Sequence, residues 1–295
     1  MKTEVWLQQN TAPLVGKTVA VTGTTGGLGR ELCRHLAGLG ASLILLDRNA
    51  ERSERFREEL MREYPAALVR CIGVDLESLA SVKVACETLK AEPIDVLIHN
   101  AGAYSIPRHK CETGLDNVFQ INFASPYYMI RELLPTLRER GGRVVAVGSI
   151  AHNYSKSDPN DVDFSTRRQA SKVYGNAKRY LMFSLCELFR QEDRVTLALT
   201  HPGISFTNIT AHYPKLIFAI IKHPMKVIFM KPCRACLSIL RGVFEPCGAY
   251  EWIGPRSFDV WGIPKKKRLK TCTPDEGRQI ARTAEQIYRQ MKEQP

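Results

Sequence analysis

A chain of 295 residues, 44% apolar and 24% charged, with no low-complexity tract, has the composition of a globular protein and is long enough to bury one substantial core. Its 42 Lys and Arg against 30 Asp and Glu leave +12, which suits an anionic ligand, an anionic bilayer or nucleic acid without choosing among them. Nine scattered cysteines, an odd number, argue against a disulfide framework; with no secretory signal in Met1 to Val15 and no apolar run of membrane-spanning length, a single cytoplasmic domain over 1–295 is expected.

The first element is a β-branched run from Lys17 to Thr22, followed by the turn Thr22-Gly23-Thr24-Thr25-Gly26-Gly27-Leu28-Gly29 and a helical stretch from Leu28 to Leu39. Glycines between a strand and a helix let a pyrophosphate approach backbone N–H groups, so Thr22, Gly23, Gly27, Leu28 and Gly29 are candidate cofactor contacts. The turn alone is a weak signal, since plain strand-to-helix turns also use glycine. A second strand, Ser42 to Leu46, runs into Asp47, whose carboxylate can accept hydrogen bonds from adenosine ribose hydroxyls and would repel a 2′-phosphate. Arg48 pulls the other way, because a guanidinium can pair with that phosphate. NAD is the favoured cofactor and NADP the alternative.

Further strands are expected near Leu68 to Val74, Ile94 to His99, Arg143 to Gly148 and Val195 to Thr200, separated by amphipathic helices. Nearly continuous apolar strands alternating with helices imply a parallel sheet covered on both faces, a doubly wound α/β fold of Rossmann type. Within a later helix, Tyr174-Gly175-Asn176-Ala177-Lys178 sets a phenol and an ammonium one turn apart on one face. A free phenol, with a pKa of about 10, is a poor base near neutrality, and a nearby ammonium favours its anion. Tyr174 could then exchange a proton with an alcohol or carbonyl oxygen while a nicotinamide exchanges hydride. The same spacing in an arbitrary sequence is more often an ordinary exposed pair.

Beyond Thr200, Leu216 to Ile221 and Val227 to Met230 form apolar runs flanked by Lys215, Lys222, Lys226 and Lys231. Cys233, Cys236 and Cys247 lack a second ligand pair at metal spacing, so no metal site is expected. Lys265 to Arg268 reads as a solvated charge run, with no nucleic-acid partner expected. A terminal amphipathic helix over 273–295, capped at Thr273, should pack back on the domain through Ile280, Ala284, Ile287 and Met291.

Together these residues resemble the classical short-chain dehydrogenases/reductases over nearly the whole chain from about Lys17. The resemblance rests on Thr22-Gly23 with Gly27 and Gly29, Asp75 after the third strand, Asn100-Ala101-Gly102 after the fourth, and Asn122 in the following helix. It continues through Gly148-Ser149, Tyr174 with Lys178, and Pro202-Gly203 with Thr207. It implies Tyr174 as general acid/base, Lys178 as the group that tunes it and holds the nicotinamide ribose, Ser149 as the group orienting the substrate oxygen, and Asn122 in a water-linked proton relay. It further implies that Asp75 and Leu76 flank the adenine, that Asn100, Ala101 and Gly102 line the cofactor cleft, and that Pro202, Gly203 and Thr207 shape the nicotinamide pocket.

His99, where the family more often has asparagine, and Gly26, where many NADP-using members carry a basic residue, are departures; the second leans towards NAD. The long polar insertion from His152 to Lys172 is similar to the retinol dehydrogenase-like branch, which implies a bulky lipophilic alcohol or ketone. By the same resemblance residues 204–245 cover the substrate, the apolar runs could rest on an anionic membrane, and a homodimer or tetramer is implied. Packing of those runs under a loop or in an interface is an equal alternative. A catalytically silent dinucleotide-binding protein and a basic membrane-surface protein are the other functional readings of this fold.

Overall fold

The computed structural model describes residues 3–203 and 230–294. The strands, β1 (Thr18–Thr22), β2 (Ser42–Asp47), β3 (Val69–Gly73), β4 (Val96–His99), β5 (Arg143–Val147), β6 (Thr196–Thr200), β7 (Glu251–Ser257) and β8 (Trp261–Arg268), form one sheet in the order β3-β2-β1-β4-β5-β6-β7-β8. All neighbours are parallel except the last pair. The order reverses between β1 and β4, so the carboxyl ends of those two strands flank the crevice where ligands enter open α/β sheets.

Side chains of successive strand residues point to opposite faces, and each face carries its own core. Ala20, Ile44, Leu97 and Val144 pack with α4 (Leu79–Lys90), α5 (Ser125–Glu139), α6 (Ala170–Leu188) and α8 (Pro274–Glu293). Val19, Leu43, Ile98 and Val145 face α2 (Gly27–Gly38), α3 (Ala50–Glu63) and α7 (Leu237–Phe244). Local chemistry starts the helices: Asn49 accepts from the Arg52 N–H at 2.8 Å to cap α3, and Thr273 accepts from the Glu276 N–H at 3.2 Å to cap α8 ahead of Pro274. Such caps satisfy N–H groups that the helix itself cannot, for about 1 kcal/mol each.

The terminal helix α8 packs back as expected, burying Ile280, Ala284, Ile287 and Met291. Its first turn is tied by Glu276, which accepts from Arg179, itself buried, at 2.6 Å; near its end Tyr288 and Lys292 donate to Glu132 at 2.7 and 3.0 Å. Two expectations change, and one element was not foreseen. The N-terminal stretch contains a helix, α1 (Thr3–Asn10), whose Trp6 enters the second core. Lys265 to Arg268 is not a free charge run but part of edge strand β8, with Lys266 paired to Glu245 and Lys267 to Asp259, both at 2.8 Å. Residues 237–244, expected within the substrate cover, are helix α7, whose Leu237, Ile239, Leu240 and Val243 belong to the core; 204–229, including both apolar runs up to Phe229, lie outside the described residues.

Candidate active site

The site is assembled at the carboxyl edge of the sheet, beginning where β1 and β4 end side by side. Thr22 Oγ1 accepts from the backbone N–H groups of Asn100 and Ala101 at 3.1 and 3.0 Å, and Asn100 Nδ2 donates to the carbonyls of Thr22 and Gly23, both at 3.0 Å. This stitching fixes the glycine turn relative to Asn100-Ala101-Gly102. A Cβ on Gly29 would lie 2.2 Å from the Gly23 carbonyl oxygen, so the turn closes onto its own helix only with glycine there. Gly27 differs: among the described residues a Cβ would meet nothing nearer than Pro232 Cγ at 3.8 Å. Among the described residues the packing leaves room at Gly27, beside the N–H groups that open α2 without a capping side chain, and that cradle fits a dinucleotide pyrophosphate. Asn100 Oδ1, buried with no hydrogen-bond partner among the described residues, is a further unfilled polar position at the crevice.

Asp47 does not face outward as the sequence led us to expect. Its carboxylate is buried and accepts from the Thr25 N–H and Oγ1 at 3.1 and 3.2 Å, from Ser53 Oγ at 3.1 Å, and from Thr24 Oγ1. The acidic group organises the turn from beneath. Arg48, with a side chain 70% exposed and its guanidinium 3.7 Å from Glu77, is the charged group left at the surface of this edge. Asp75 accepts from the Glu77 N–H at 3.0 Å and shapes the loop into α4, while the Leu76 side chain turns into the core.

Asn122 sits in a π-helical segment, Gln120–Ala124, that leads into α5. Such one-turn widenings concentrate at functional sites. Its amide donates to the carbonyls of Val118 and Ala103, both at 2.8 Å, and accepts from the Ala103 N–H at 3.2 Å, so it clamps the chain just after Gly102. Ser149 ends the run out of β5 and caps a short 3-10 turn, Ile150–Tyr154, accepting from the Ala151 N–H at 3.2 Å. The His152 ring nitrogen Nδ1 lies 2.6 Å from the Ser149 carbonyl oxygen and pins that turn.

Tyr174 and Lys178 stand one turn apart on α6. Burial pushes the Tyr174 phenol up to about 12, against a smaller downward pull from the nearby Ser149 hydroxyl, and Tyr104, edge-on at 5.3 Å, pushes it up again. Lys178 is buried, donates to the Val147 carbonyl at 2.9 Å and holds its ammonium 5.7 Å from the centre of the Tyr174 ring. Burial brings it down to about 8. Burial therefore dominates the phenol, with the Lys178 ammonium held over its ring. Close to them His99 has both ring nitrogens buried and without a hydrogen-bond partner among the described residues, and burial together with the Lys178 charge keeps it neutral, at about 3.

A Cβ on Gly175 would fall 2.2 Å from the Ala151 carbonyl oxygen, so α6 meets the backbone after Ser149 in direct contact. Tyr104, His152 and Gly175 were not singled out from the sequence. Only Gly175, a glycine inside a strong helical pattern, carried a visible signal. Of the residues expected at the site, Pro202 and Gly203 follow β6 at the same edge, and Thr207 lies outside the described residues.

A family model described as short chain dehydrogenase matches residues 17–212. Human retinol dehydrogenase 14 is 34% identical over 215 residues, covering 67% of this chain and 64% of that protein. Short-chain dehydrogenase TIC 32 A, chloroplastic, of Brassica napus is 31% identical over 210 residues, 66% of each, so the match spans just under two thirds of the length of these relatives. The dehydrogenase/reductase SDR family member FEY of Arabidopsis thaliana is 28% identical across 94% of this chain and 77% of its own. Among solved structures, an uncharacterised protein from Mycobacterium paratuberculosis superposes with TM-score 0.73 at 24% identity over 96% of both chains. A Sphingobium yanoikuyae short-chain dehydrogenase in complex with NADPH superposes with TM-score 0.59 at 20% identity, over 77% of this chain and 84% of that one. With this sheet, this turn and the Ser149, Tyr174 and Lys178 arrangement at its edge, the chain belongs to the short-chain dehydrogenase family.

Proposed function

We propose that the protein is a nicotinamide-dependent oxidoreductase that interconverts an alcohol and a ketone or aldehyde, with Tyr174 handling the proton. The observation that carries this reading is Tyr174 one helical turn from a buried Lys178 whose ammonium lies 5.7 Å from the centre of its ring, on a helix seated directly against the backbone that follows Ser149. A bound dinucleotide supplies or accepts the hydride. In the reducing direction Tyr174 Oη donates its proton to the substrate oxygen, and Ser149 Oγ hydrogen-bonds the same oxygen to fix its orientation. The Lys178 charge stabilises the phenolate left behind, and Asn122 braces the loop carrying Gly102. The N–H groups opening α2 would hold the pyrophosphate, and Lys178 the nicotinamide ribose.

Cofactor choice turns on Asp47 and Arg48. Because the Asp47 carboxylate is occupied by Thr24, Thr25 and Ser53, while Arg48 stands exposed, the arrangement favours a 2′-phosphate and hence NADP(H) over the NAD read from the sequence. The relatedness to retinol dehydrogenase 14 supports a bulky lipophilic substrate. Contact with a membrane as a peripheral protein fits the same reading.

Tyr174→Phe keeps the ring and removes the proton donor. Turnover of a retinoid, steroid or long-chain carbonyl panel should fall at least about a hundredfold with dinucleotide affinity kept, and retained turnover would refute the assignment. Arg48→Ala should weaken NADPH binding about tenfold or more and leave NADH unchanged. A loss confined to NADH would instead restore Asp47 as the reader of the ribose.

A further inference from the structure

Strands β7 and β8 lie beyond the residues matched by the family model and form an antiparallel hairpin with a solvent-facing tip. Phe258, at that tip, is 88% exposed, and both it and Asp259 adopt the left-handed backbone conformation, φ 52° and 58°. Two such residues in succession suit Asn-Gly, and a bulky aromatic there is costly. No packing offsets that cost, since the ring is almost wholly in water. Stability therefore does not explain Phe258.

The rest of the hairpin is held firmly. His201 Nε2 lies 2.9 Å from the Asp259 carbonyl oxygen, and Lys267 donates to Asp259 at 2.8 Å and to the Pro255 carbonyl at 2.7 Å. Near the tip, Arg256 and Lys265 are exposed, with no carboxylate in ion-pair reach among the described residues. Residues 204–229 contain three lysines and no Asp or Glu, so the sequence offers these cations no acidic partner there either. Protection of an exposed sheet edge accounts for lysines and Pro264 on β8, but not for an aromatic at the turn.

We propose that the β7–β8 hairpin docks the protein on an anionic bilayer, with Phe258 entering the interfacial layer and Arg256 and Lys265 meeting lipid phosphates and carboxylates. Aromatic side chains settle at the headgroup level, and cations beside them add attraction that salt screens. A protruding aromatic with cations on both flanking strands suits a flat anionic surface rather than a protein groove. Because β7 runs parallel to the rest of the sheet, its tip projects from the carboxyl edge that carries the active site. Docking there would turn the site towards the bilayer, a consequence that rests on the lipophilic-substrate reading, whereas the docking itself does not.

The test is co-sedimentation of the full chain with vesicles of phosphatidylcholine alone or with about 30% phosphatidylserine. Wild type should bind the anionic vesicles only, and less as salt rises. Phe258→Asn, whose side chain tolerates the left-handed turn, should melt no lower than wild type and lose about tenfold in vesicle affinity. Arg256→Glu with Lys265→Glu should abolish binding. Equal binding by Phe258→Asn and wild type, equal binding to neutral vesicles, or a Phe258→Asn protein that changes from dimer to monomer in sedimentation would overturn the proposal. Turnover of long-chain against short soluble substrates is measured separately without vesicles, so a failed substrate reading leaves the docking result intact.

Discussion

Lys178→Met should make the protein more stable at neutral pH while abolishing turnover. The Lys178 ammonium is buried with one hydrogen bond among the described residues, to the Val147 carbonyl, and burial lowers it from 10.5 to about 8. At about 1.4 kcal/mol per pH unit, that fall means about 3 kcal/mol of folding free energy is forgone. Below pH 8 the group is charged in both folded and unfolded chains and the whole cost is present. Between pH 8 and 10.5 the folded protein releases the proton that the unfolded chain keeps, so stability rises with pH. Methionine fills a similar volume without charge but leaves the Val147 carbonyl unpaired, which takes back about 1 kcal/mol. The net gain of about 2 kcal/mol should raise Tm at pH 7 by about 4 °C. Thermal unfolding of both proteins from pH 6 to 10.5 checks this, with the gap closing above pH 8. A methionine variant no more stable than wild type at pH 7, or a gap that stays constant across that range, would show that the ammonium is better solvated than its surroundings imply.

Other perturbations probe the scaffold. Glu132 is partly desolvated, which raises it, yet hydrogen bonds from Lys90, Tyr288 and Lys292 hold it down at about 2. Its contribution is present above the ordinary 4.5 and lost as pH falls towards 2. Glu132→Gln should therefore cost about 1–2 kcal/mol at pH 7, since both lysines are partly in water, and should flatten the acid limb of the stability profile. An unchanged acid limb would mean that α8 is held by its apolar face alone. Gly29→Ala drives a methyl to 2.2 Å from a backbone oxygen, so we expect a loss of at least about 2 kcal/mol in denaturant unfolding and weaker dinucleotide binding together. Loss of stability with unaltered binding would separate the turn's packing from its ligand role.

Much of this was legible in the sequence because the relevant signals are local and repetitive. The six parallel strands β1 to β6 fall within one or two residues of the β-branched runs that announced them, since a strand buried on both faces must be apolar along its length. The hairpin was not legible. β8 reads Trp-Gly-Ile-Pro-Lys-Lys-Lys-Arg, an edge strand with one partner and little burial, so neither alternation nor an apolar run marks it. Trp6 was hidden in the same way, as a single buried residue in a polar stretch. At the site, spacing placed Tyr174 over Lys178 correctly, but it could not show that Gly175 seats this helix against the Ala151 carbonyl or that Asp47 turns inward. Those depend on contacts between segments tens of residues apart. The π-helical segment at Asn122 has no sequence period to betray it.

The contact of Gly175 with the Ala151 carbonyl has a consequence for how this protein can diverge. The distance between Ser149 and Tyr174 is fixed by main chain lying against main chain, so no exchange of a neighbouring side chain can widen or narrow it by small steps. Reacting geometry is thereby insulated from mutational drift, and new substrate preferences have to be found in the loops and the hairpin around the pair. The catalytic spacing is inherited whole or lost whole.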